Sequence, residues 1–190
     1  MCSAEGTPSK GNPVQRHIIL LVGAPGCGKT TVVRRTVELL RARGVRVFGF
    51  WSGEIREAGV RVGFDLEAAS GARAIMAHAH FARGPAVSKY RVDVPALDDV
   101  AVAEIRRAMA EGAAGAALVI DEIGKMELCS TEFRAAVTAA LDSRLRVLAT
   151  ATSKPHPFVD AIKARDDIEV VRVTRDNRDR LAQELAQRLA

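Results

Sequence analysis

Residues 23–30, with the sequence GAPGCGKT, limit what this chain can fold into more than any other segment. They fit the pattern GxxxxGK[ST], which follows a strand and opens a helix in phosphate-binding loops. An unbroken apolar run at 17–22 precedes them, and residues 30–42 carry apolar side chains at mostly helical spacing. The sequence therefore predicts a parallel α/β sheet whose first strand leads into a phosphate-binding loop (P-loop).

The residue types of this loop suit a nucleoside triphosphate. Gly23, Gly26 and Gly28 let the backbone curl closely enough for its N–H groups to surround phosphates, and the helix N-terminus adds a positive dipole end. Lys29 is predicted to bridge the β- and γ-phosphates, and the Thr30 hydroxyl is predicted to coordinate Mg²⁺. The cofactor expected from this motif is Mg²⁺.

A second acidic motif lies at 116–122, where the apolar run AALVI ends in Asp121 and Glu122. Ligands of open α/β sheets bind at the C-terminal ends of the strands, which is where these two acids are predicted to lie. Asp121 is expected to hold Mg²⁺ through water, and Glu122 is expected to polarise the attacking water as general base. A strand end that is simply solvated is the alternative for this pair.

The rest of the chain alternates strands with helices, which favours one three-layer domain. If Glu122 is the catalytic acid, we expect a mostly parallel five-stranded sheet of order 5-1-4-3-2, with a small β-hairpin insertion. The domain is predicted at 17–190, after a disordered lead at 1–16. Predicted strands lie at 17–22, 45–51, 118–120, 145–149 and 168–173, the hairpin at 60–66 and 72–77, and helices at 30–42, 95–111, 131–141, 158–164 and 178–189.

Residues 52–91 depart from strict alternation and are predicted to form a lid-like insertion. Arg56 within it is the predicted arginine finger in cis, and Lys125 is a second candidate cation. Thr152, after the fourth strand, is predicted either to orient water or to cap a turn. These assignments place catalytic groups on several strand ends around one phosphate site.

Four further side chains have alternative interpretations. Asn177 and Arg178, before the last helix, either line the nucleotide base or cap that helix. His78 and His80 share one strand face but lack a third ligand, so a metal site there is disfavoured. The sequence does not fix a base preference.

Composition excludes several other classes of protein. The 190 residues include 48% hydrophobic and 4% aromatic residues and have a formal charge of +5. Three cysteines without CxxC spacing predict neither disulfides nor zinc, and no segment suits a signal peptide or membrane span, so a cytoplasmic location is expected. Scattered basic residues and few aromatics make nucleic acid an unlikely partner. A monomer is expected, because no exposed apolar repeat is evident.

Several segments together resemble a known family, the small nucleoside-triphosphatases related to a thermophilic bacterial enzyme and to a human protein called cancer-related nucleoside-triphosphatase. The resemblance covers about residues 17–189, and its most specific parts are DEIGKMEL and the pair GEIRE and GVRVGFDL. The segments are GAPGCGKTT (23–31), GFWSGEIREAGVRVGFDL (49–66), YRVDVPAL (90–97), VIDEIGKMEL (119–128), HPFVDAIKAR (156–165) and VTRDNRDRL (173–181).

This resemblance implies hydrolysis of ATP, GTP, CTP, UTP and similar triphosphates to the diphosphate and phosphate, with little base selectivity. Two departures are visible: Ser52 stands where the family commonly has threonine, and 67–88 matches poorly. Together, the motifs and the resemblance predict Glu122, Lys29 and Arg56 as catalytic residues. The predicted nucleotide contacts are Gly23, Ala24, Pro25, Gly26, Cys27, Gly28, Lys29, Thr30, Thr31, Asp121, Glu122 and Lys125.

Other classes of P-loop protein remain as alternatives. A nucleotide or nucleoside kinase would share the loop and pass the γ-phosphoryl group to a small acceptor, although Glu122 beside Asp121 favours water activation. A regulatory or nucleic-acid ATPase would need a further domain that the sequence does not indicate. A guanine-specific switch protein is disfavoured, since no NKxD-type motif follows Asp121.

Overall fold

The computed structural model describes residues 18–112 and 115–190. The predicted disordered lead at 1–16 lies outside these residues. The strands are β1 (Ile18–Val22), β2 (Val47–Glu57), β3 (Val60–Ala68), β4 (Arg73–His78), β5 (Ala86–Val87), β6 (Tyr90–Val92), β7 (Ala117–Ile123), β8 (Arg146–Ala151) and β9 (Glu169–Arg172). The helices are α1 (Lys29–Ala42), α2 (Val94–Leu97), α3 (Ala103–Glu111), α4 (Thr131–Asp142), α5 (Pro157–Lys163) and α6 (Arg178–Arg188).

All of these strands belong to one mixed sheet with the order β5-β6-β4-β3-β2-β7-β8-β1-β9. The expectation of a five-stranded, mostly parallel sheet of order 5-1-4-3-2 is therefore wrong for the sheet as a whole, which has nine strands among the described residues. Its parallel part comprises β2, β7, β8, β1 and β9, in that order, and β8 lies between β1 and β7. The antiparallel strands extend the sheet beyond β2.

The error has a physical origin in β2. This strand was expected to end at Trp51, but it continues to Glu57 and pairs antiparallel with β3 along its extension. The predicted hairpin of β3 and β4 is confirmed, yet it joins the main sheet through β2. The short strands β5 and β6, missing from the prediction, complete the edge.

Apolar side chains cover both faces of the sheet. One core cluster packs beneath α1 and α6, and α1 and α6 also contact each other. The larger cluster lies on the other face with α2 to α5, where Phe50 meets Phe133 edge-on at 5.9 Å. Strands buried on both faces explain the unbroken apolar runs of β1 and β7.

This architecture brings the two sequence motifs to one edge. The parallel strands β1, β7 and β8 end at the same side of the sheet, so the loop after Val22, the acids at 121–122 and Thr152 come together there. Trp51 of β2 pairs with Asp121, so the extension of β2 continues past this edge and forms a wall beside it.

Candidate active site

The P-loop lies between β1 and α1, and its glycines are required by its geometry. A Cβ at Gly23 would lie 2.7 Å from both the Cys27 sulfur and the Val173 carbonyl oxygen. Gly26 and Gly28 adopt positive φ angles of 72° and 107°, which side chains with a Cβ rarely adopt. The helix begins at Lys29, immediately after the loop. The loop therefore offers backbone N–H groups and a helix N-terminus in one place.

Lys29 connects the loop with the second motif. Its Nζ donates a hydrogen bond to the Gly23 carbonyl oxygen at 3.4 Å and lies 3.7 Å from Glu122 Oε2. The lysine side chain is mostly buried. A compact positive charge thus lies between the P-loop backbone and the predicted general base.

Asp121 is 1% exposed and accepts a hydrogen bond at Oδ1 from the Thr150 hydroxyl at 2.5 Å. Burial raises the pKa of its carboxyl group, although Thr150, the Thr30 hydroxyl and the Lys29 charge oppose that rise. Its other oxygen, Oδ2, is buried and has no hydrogen-bond partner among the residues that the structure describes. Because a buried, unpartnered carboxylate oxygen is unfavourable, this atom suits a bound cation.

Glu122 faces the opening of the site, and its side chain is 33% exposed. Burial raises the pKa of its carboxyl group; the positive charge of Lys29 opposes this rise and the charge of Asp121 adds to it. The two neighbouring acids therefore differ in role: Asp121 is enclosed, whereas Glu122 can reach water.

A cavity of about 600 Å³ is lined by Lys29 and Glu122, whereas the enclosed Asp121 does not line it. It extends from the P-loop to the wall formed by β2, β3 and β4. Its lining residues are Pro25, Gly26, Gly28, Lys29, Thr30, Thr31, Ser52, Gly53, Glu54, Phe64, Met76, Val87, Glu122, Lys125, Met126, Glu127, Thr152, Ser153, Lys154 and Arg178.

The two predicted helper cations are placed differently. Lys125 lines the cavity, but Arg56 is absent from its lining. The Arg56 guanidinium donates to Glu54 at 2.6 and 3.0 Å and to the Gly59 carbonyl at 2.8 Å, near the turn between β2 and β3. The structure thus does not bring Arg56 together with the P-loop, and its role as an arginine finger stays a prediction.

Two cations of the cavity were not assigned to the phosphates from sequence. Arg178, the first residue of α6, packs against the loop, where a Cβ on Gly28 would lie 3.0 Å from its Cδ. Lys154 follows β8, and its N–H donates to the Thr152 hydroxyl at 3.2 Å. Thr152 therefore caps a turn and also lines the cavity.

The structure also places Asn177 and the pair His78 and His80. The Asn177 side chain stabilises its own loop through two hydrogen bonds of 2.9 Å: it accepts one from the Thr174 N–H and donates one to the Arg172 carbonyl oxygen. His78 accepts from the His80 N–H at 3.2 Å. No cluster of three or more His, Cys, Asp or Glu side chains within 18–112 and 115–190 is arranged to hold a metal ion.

Sequence reasoning missed Glu127. This glutamate is 3% exposed, lines the cavity and accepts a hydrogen bond from the Gly124 N–H at 3.1 Å. Burial and the nearby charge of Glu122 raise its pKa to about 8. Its position within the segment DEIGKMEL could have drawn attention to this glutamate in the sequence. Its burial could not be predicted, because that burial depends on the turn after β7.

A P-loop after β1, together with a buried acid and a solvent-accessible acid at the end of β7 in the same parallel part of the sheet, defines this chain as a P-loop nucleotide-binding protein. Its sequence matches the family described as NTPase over residues 18–186, and the chain belongs to that family.

Among the residues that the structure describes, no helix is both long enough and apolar enough to cross a bilayer.

Proteins of this kind from distant organisms are similar to the chain over most of their length. Nucleoside-triphosphatase THEP1 of Thermofilum pendens is 44% identical, covering 90% of this chain and 94% of that protein. Cancer-related nucleoside-triphosphatase of Homo sapiens is 36% identical, covering 87% and 92% respectively.

Solved structures agree with this relationship. The crystal structure of THEP1 from Aquifex aeolicus has a TM-score of 0.82 and 34% identity, covering 90% of this chain and 98% of that chain. The solution structure of a human cancer-related nucleoside triphosphatase has a TM-score of 0.79 and 35% identity, covering 92% and 97%. The single α/β domain is thus shared with both.

Proposed function

We propose that this protein hydrolyses nucleoside triphosphates to the diphosphate and inorganic phosphate. The observation that carries the proposal is the placement of Lys29 Nζ 3.7 Å from Glu122 Oε2 beside the P-loop, in one cavity. A charge that binds the terminal phosphates thereby lies next to a carboxylate that can activate water. The names of its relatives, which are nucleoside-triphosphatases, support the same activity.

The triphosphate binds along the P-loop. Backbone N–H groups of residues 23–30 and the N-terminus of α1 contact the phosphates, and Lys29 adds a point charge at their β and γ positions. The Thr30 hydroxyl and the unpartnered Oδ2 of Asp121 suit a Mg²⁺ ion bound with the nucleotide. When bound, this ion would neutralise negative charge on the phosphate oxygens.

Glu122 is the general base. Its carboxylate accepts a proton from a water molecule whose oxygen forms a bond to the γ-phosphorus, while the bond from that phosphorus to the β–γ bridging oxygen breaks. The electron pair of the broken bond remains on the diphosphate. Lys125, Lys154 and Arg178 line the cavity. Their positive charges stabilise the negative charge that develops on the phosphate oxygens during the reaction.

Low base specificity follows from where these contacts lie. The phosphate-binding groups are backbone atoms and cations, which read charge and not the base. A smaller cavity of about 370 Å³ lies between α1 and α6 and is lined by Thr31, Arg35, Arg178 and Asp179, among others. The nucleoside of the bound triphosphate extends from the P-loop toward this cavity, where the long side chains of Arg35 and Arg178 accommodate different bases.

Transfer of the γ-phosphoryl group to a small acceptor is a second candidate function. The main cavity extends past Glu122 to an apolar wall that includes Phe64, Met76 and Val87. This wall offers room for an acceptor beside the γ-phosphate, as a nucleotide or nucleoside kinase requires. The segment 52–91, predicted as a lid, supplies all three residues.

Product analysis separates the two functions. Phosphate and diphosphate should form in equal amounts from ATP, GTP, CTP and UTP with Mg²⁺, and each rate should stay unchanged when nucleosides or nucleoside monophosphates are added. Turnover that requires one acceptor and yields its phosphorylated form would contradict hydrolysis and establish a kinase.

A cytoplasmic location stays a prediction.

A further inference from the structure

Glu127 is a buried acid that the hydrolytic scheme leaves without a role. It begins the 3₁₀ turn Glu127–Cys129, directly after β7 and its following loop. Its Oε2 accepts a hydrogen bond from the Gly124 N–H at 3.1 Å, which closes the loop that follows β7. Glutamate is almost never this buried without a specific partner, so the position calls for a functional explanation.

Gly124 shows how close the two glutamates lie. A Cβ placed on Gly124 would be 2.8 Å from Glu122 Oε1 and also 2.8 Å from Glu127 Oε2. Both oxygens therefore lie next to the same point, and the distance between Glu122 Oε1 and Glu127 Oε2 cannot exceed twice 2.8 Å. This space accommodates a direct contact or a single bridging water, and any side chain at 124 would fill it.

We propose that Glu127 is a positioning residue for the hydrolytic reaction: its carboxyl group holds the Glu122 carboxylate toward the attacking water through a hydrogen bond, direct or through one water, and Gly124 keeps the space this contact needs. The inference rests on the proposed function. Lys29 contacts Glu122 from the opposite motif, so the base is held between a cation and a neutral acid.

The surroundings of Glu127 favour the neutral form. Burial raises its pKa to about 8, and the negative charges of Glu122 and Asp121 on β7 act in the same direction. Cys129 lies on the same turn, and burial, with a smaller effect of Glu127, raises its pKa. Lys125 lines the same cavity. A protonated carboxyl group has a hydrogen-bond donor that a carboxylate lacks.

Four proteins test the inference: wild type, Glu127→Gln, Glu127→Leu and Gly124→Ala. Glutamine keeps a neutral donor of nearly the same shape, whereas leucine removes it and alanine at 124 displaces both carboxyl groups. For each protein, kcat and KM for ATP with Mg²⁺, nucleotide affinity and Tm are measured at pH 7. Tm and affinity identify any variant that has lost its fold.

The expected kcat of Glu127→Gln is within about threefold of wild type, and that of Glu127→Leu and Gly124→Ala is lower by about tenfold to a hundredfold, since small misplacements of a catalytic group have effects of this size. KM and affinity should change less than about twofold. Unchanged kcat in Glu127→Leu or Gly124→Ala would overturn the inference, as would equal losses in the glutamine and leucine variants. Absence of wild-type turnover would instead overturn the proposed function and the inference together.

Discussion

At the scale of single residues, Asp121 and Glu122 show how neighbouring carboxylates acquire different chemistry. Asp121 is enclosed and bonded to Thr150, with one oxygen lacking a partner. Glu122 is partly exposed and lies beside Lys29. Successive residues of a strand point to different surroundings, so one acid faces the interior and its neighbour faces the cavity.

The unpartnered oxygen of Asp121 leads to a prediction for Asp121→Asn. The wild-type Tm should rise by about 5–10 °C with ATP and Mg²⁺ at about a hundred times Kd, and this rise should shrink when EDTA removes the metal. In Asp121→Asn we expect the metal-dependent part to vanish while the nucleotide-free Tm stays equal or increases, because a buried charge is removed. Thermal unfolding measures both effects, and a metal-dependent rise that survives in the variant would contradict the assignment.

Arg178, which lines the cavity, and Arg56, which does not, provide a matched pair of variants. Arg178→Ala should lower kcat/KM by about tenfold or more, since one charge-assisted contact to phosphate is lost. Arg56→Ala should change kcat/KM less than about twofold, because the Arg56 side chain is exposed, pairs with Glu54 and does not line the cavity. Steady-state kinetics with ATP compares them. The reverse order would show that Arg56 reaches the phosphates when nucleotide binds.

At the scale of elements, the turn after β7 couples folding to protonation through Glu127. A carboxyl group whose pKa is raised in the folded protein binds its proton more tightly there than in the unfolded chain. Its stabilising contribution is therefore complete below the unfolded pKa and is lost as pH rises toward the folded value of about 8.

This coupling predicts that wild type loses stability between the ordinary glutamate pKa of 4.5 and about pH 8, by about 1.4 kcal/mol per pH unit for this one group. Glu127→Gln lacks the ionisation, so its free energy of unfolding relative to wild type should increase over the same interval. Denaturant unfolding of nucleotide-free protein at several pH values measures the difference. Exposed Glu184→Gln serves as the control, and parallel curves for Glu127→Gln and wild type would contradict the raised pKa.

Much of the fold and site could be predicted from local patterns. The P-loop and the acids at the end of β7 depend on short segments whose context is visible in sequence, and their residues meet at one edge of the sheet. The extension of β2 was missed because residues 52–57 are largely polar and form a strand only by pairing with β3. Strands β5 and β6 are shorter still, and the burial of Glu127 depends on long-range packing that no local pattern encodes.

At the scale of the whole molecule, the sheet has short outer strands that limit pairing with other chains. β5 has two residues, and β9 has four, with Glu169 held in an ion pair by Arg188. Short, charged edges disfavour sheet extension between molecules. The large apolar side chains that are exposed in the described part of the chain are separate in sequence: Val60, Ile75 and Val170.

This surface predicts a monomer. Light scattering coupled to size-exclusion chromatography should give a molar mass near 20.4 kDa at micromolar concentration. The same mass is expected with and without nucleotide. A mass twice as large would contradict this prediction.

The central claim is that Glu122 activates water for attack on the γ-phosphate. Its most direct test measures phosphate release and nucleotide affinity for wild type, Glu122→Gln and the exposed control Glu184→Gln. The account predicts that Glu122→Gln binds ATP with Mg²⁺ within about threefold of wild type but releases phosphate at least about a hundredfold more slowly, the contribution typical of a general base, while Glu184→Gln matches wild type. Phosphate release by Glu122→Gln at the wild-type rate would contradict the account.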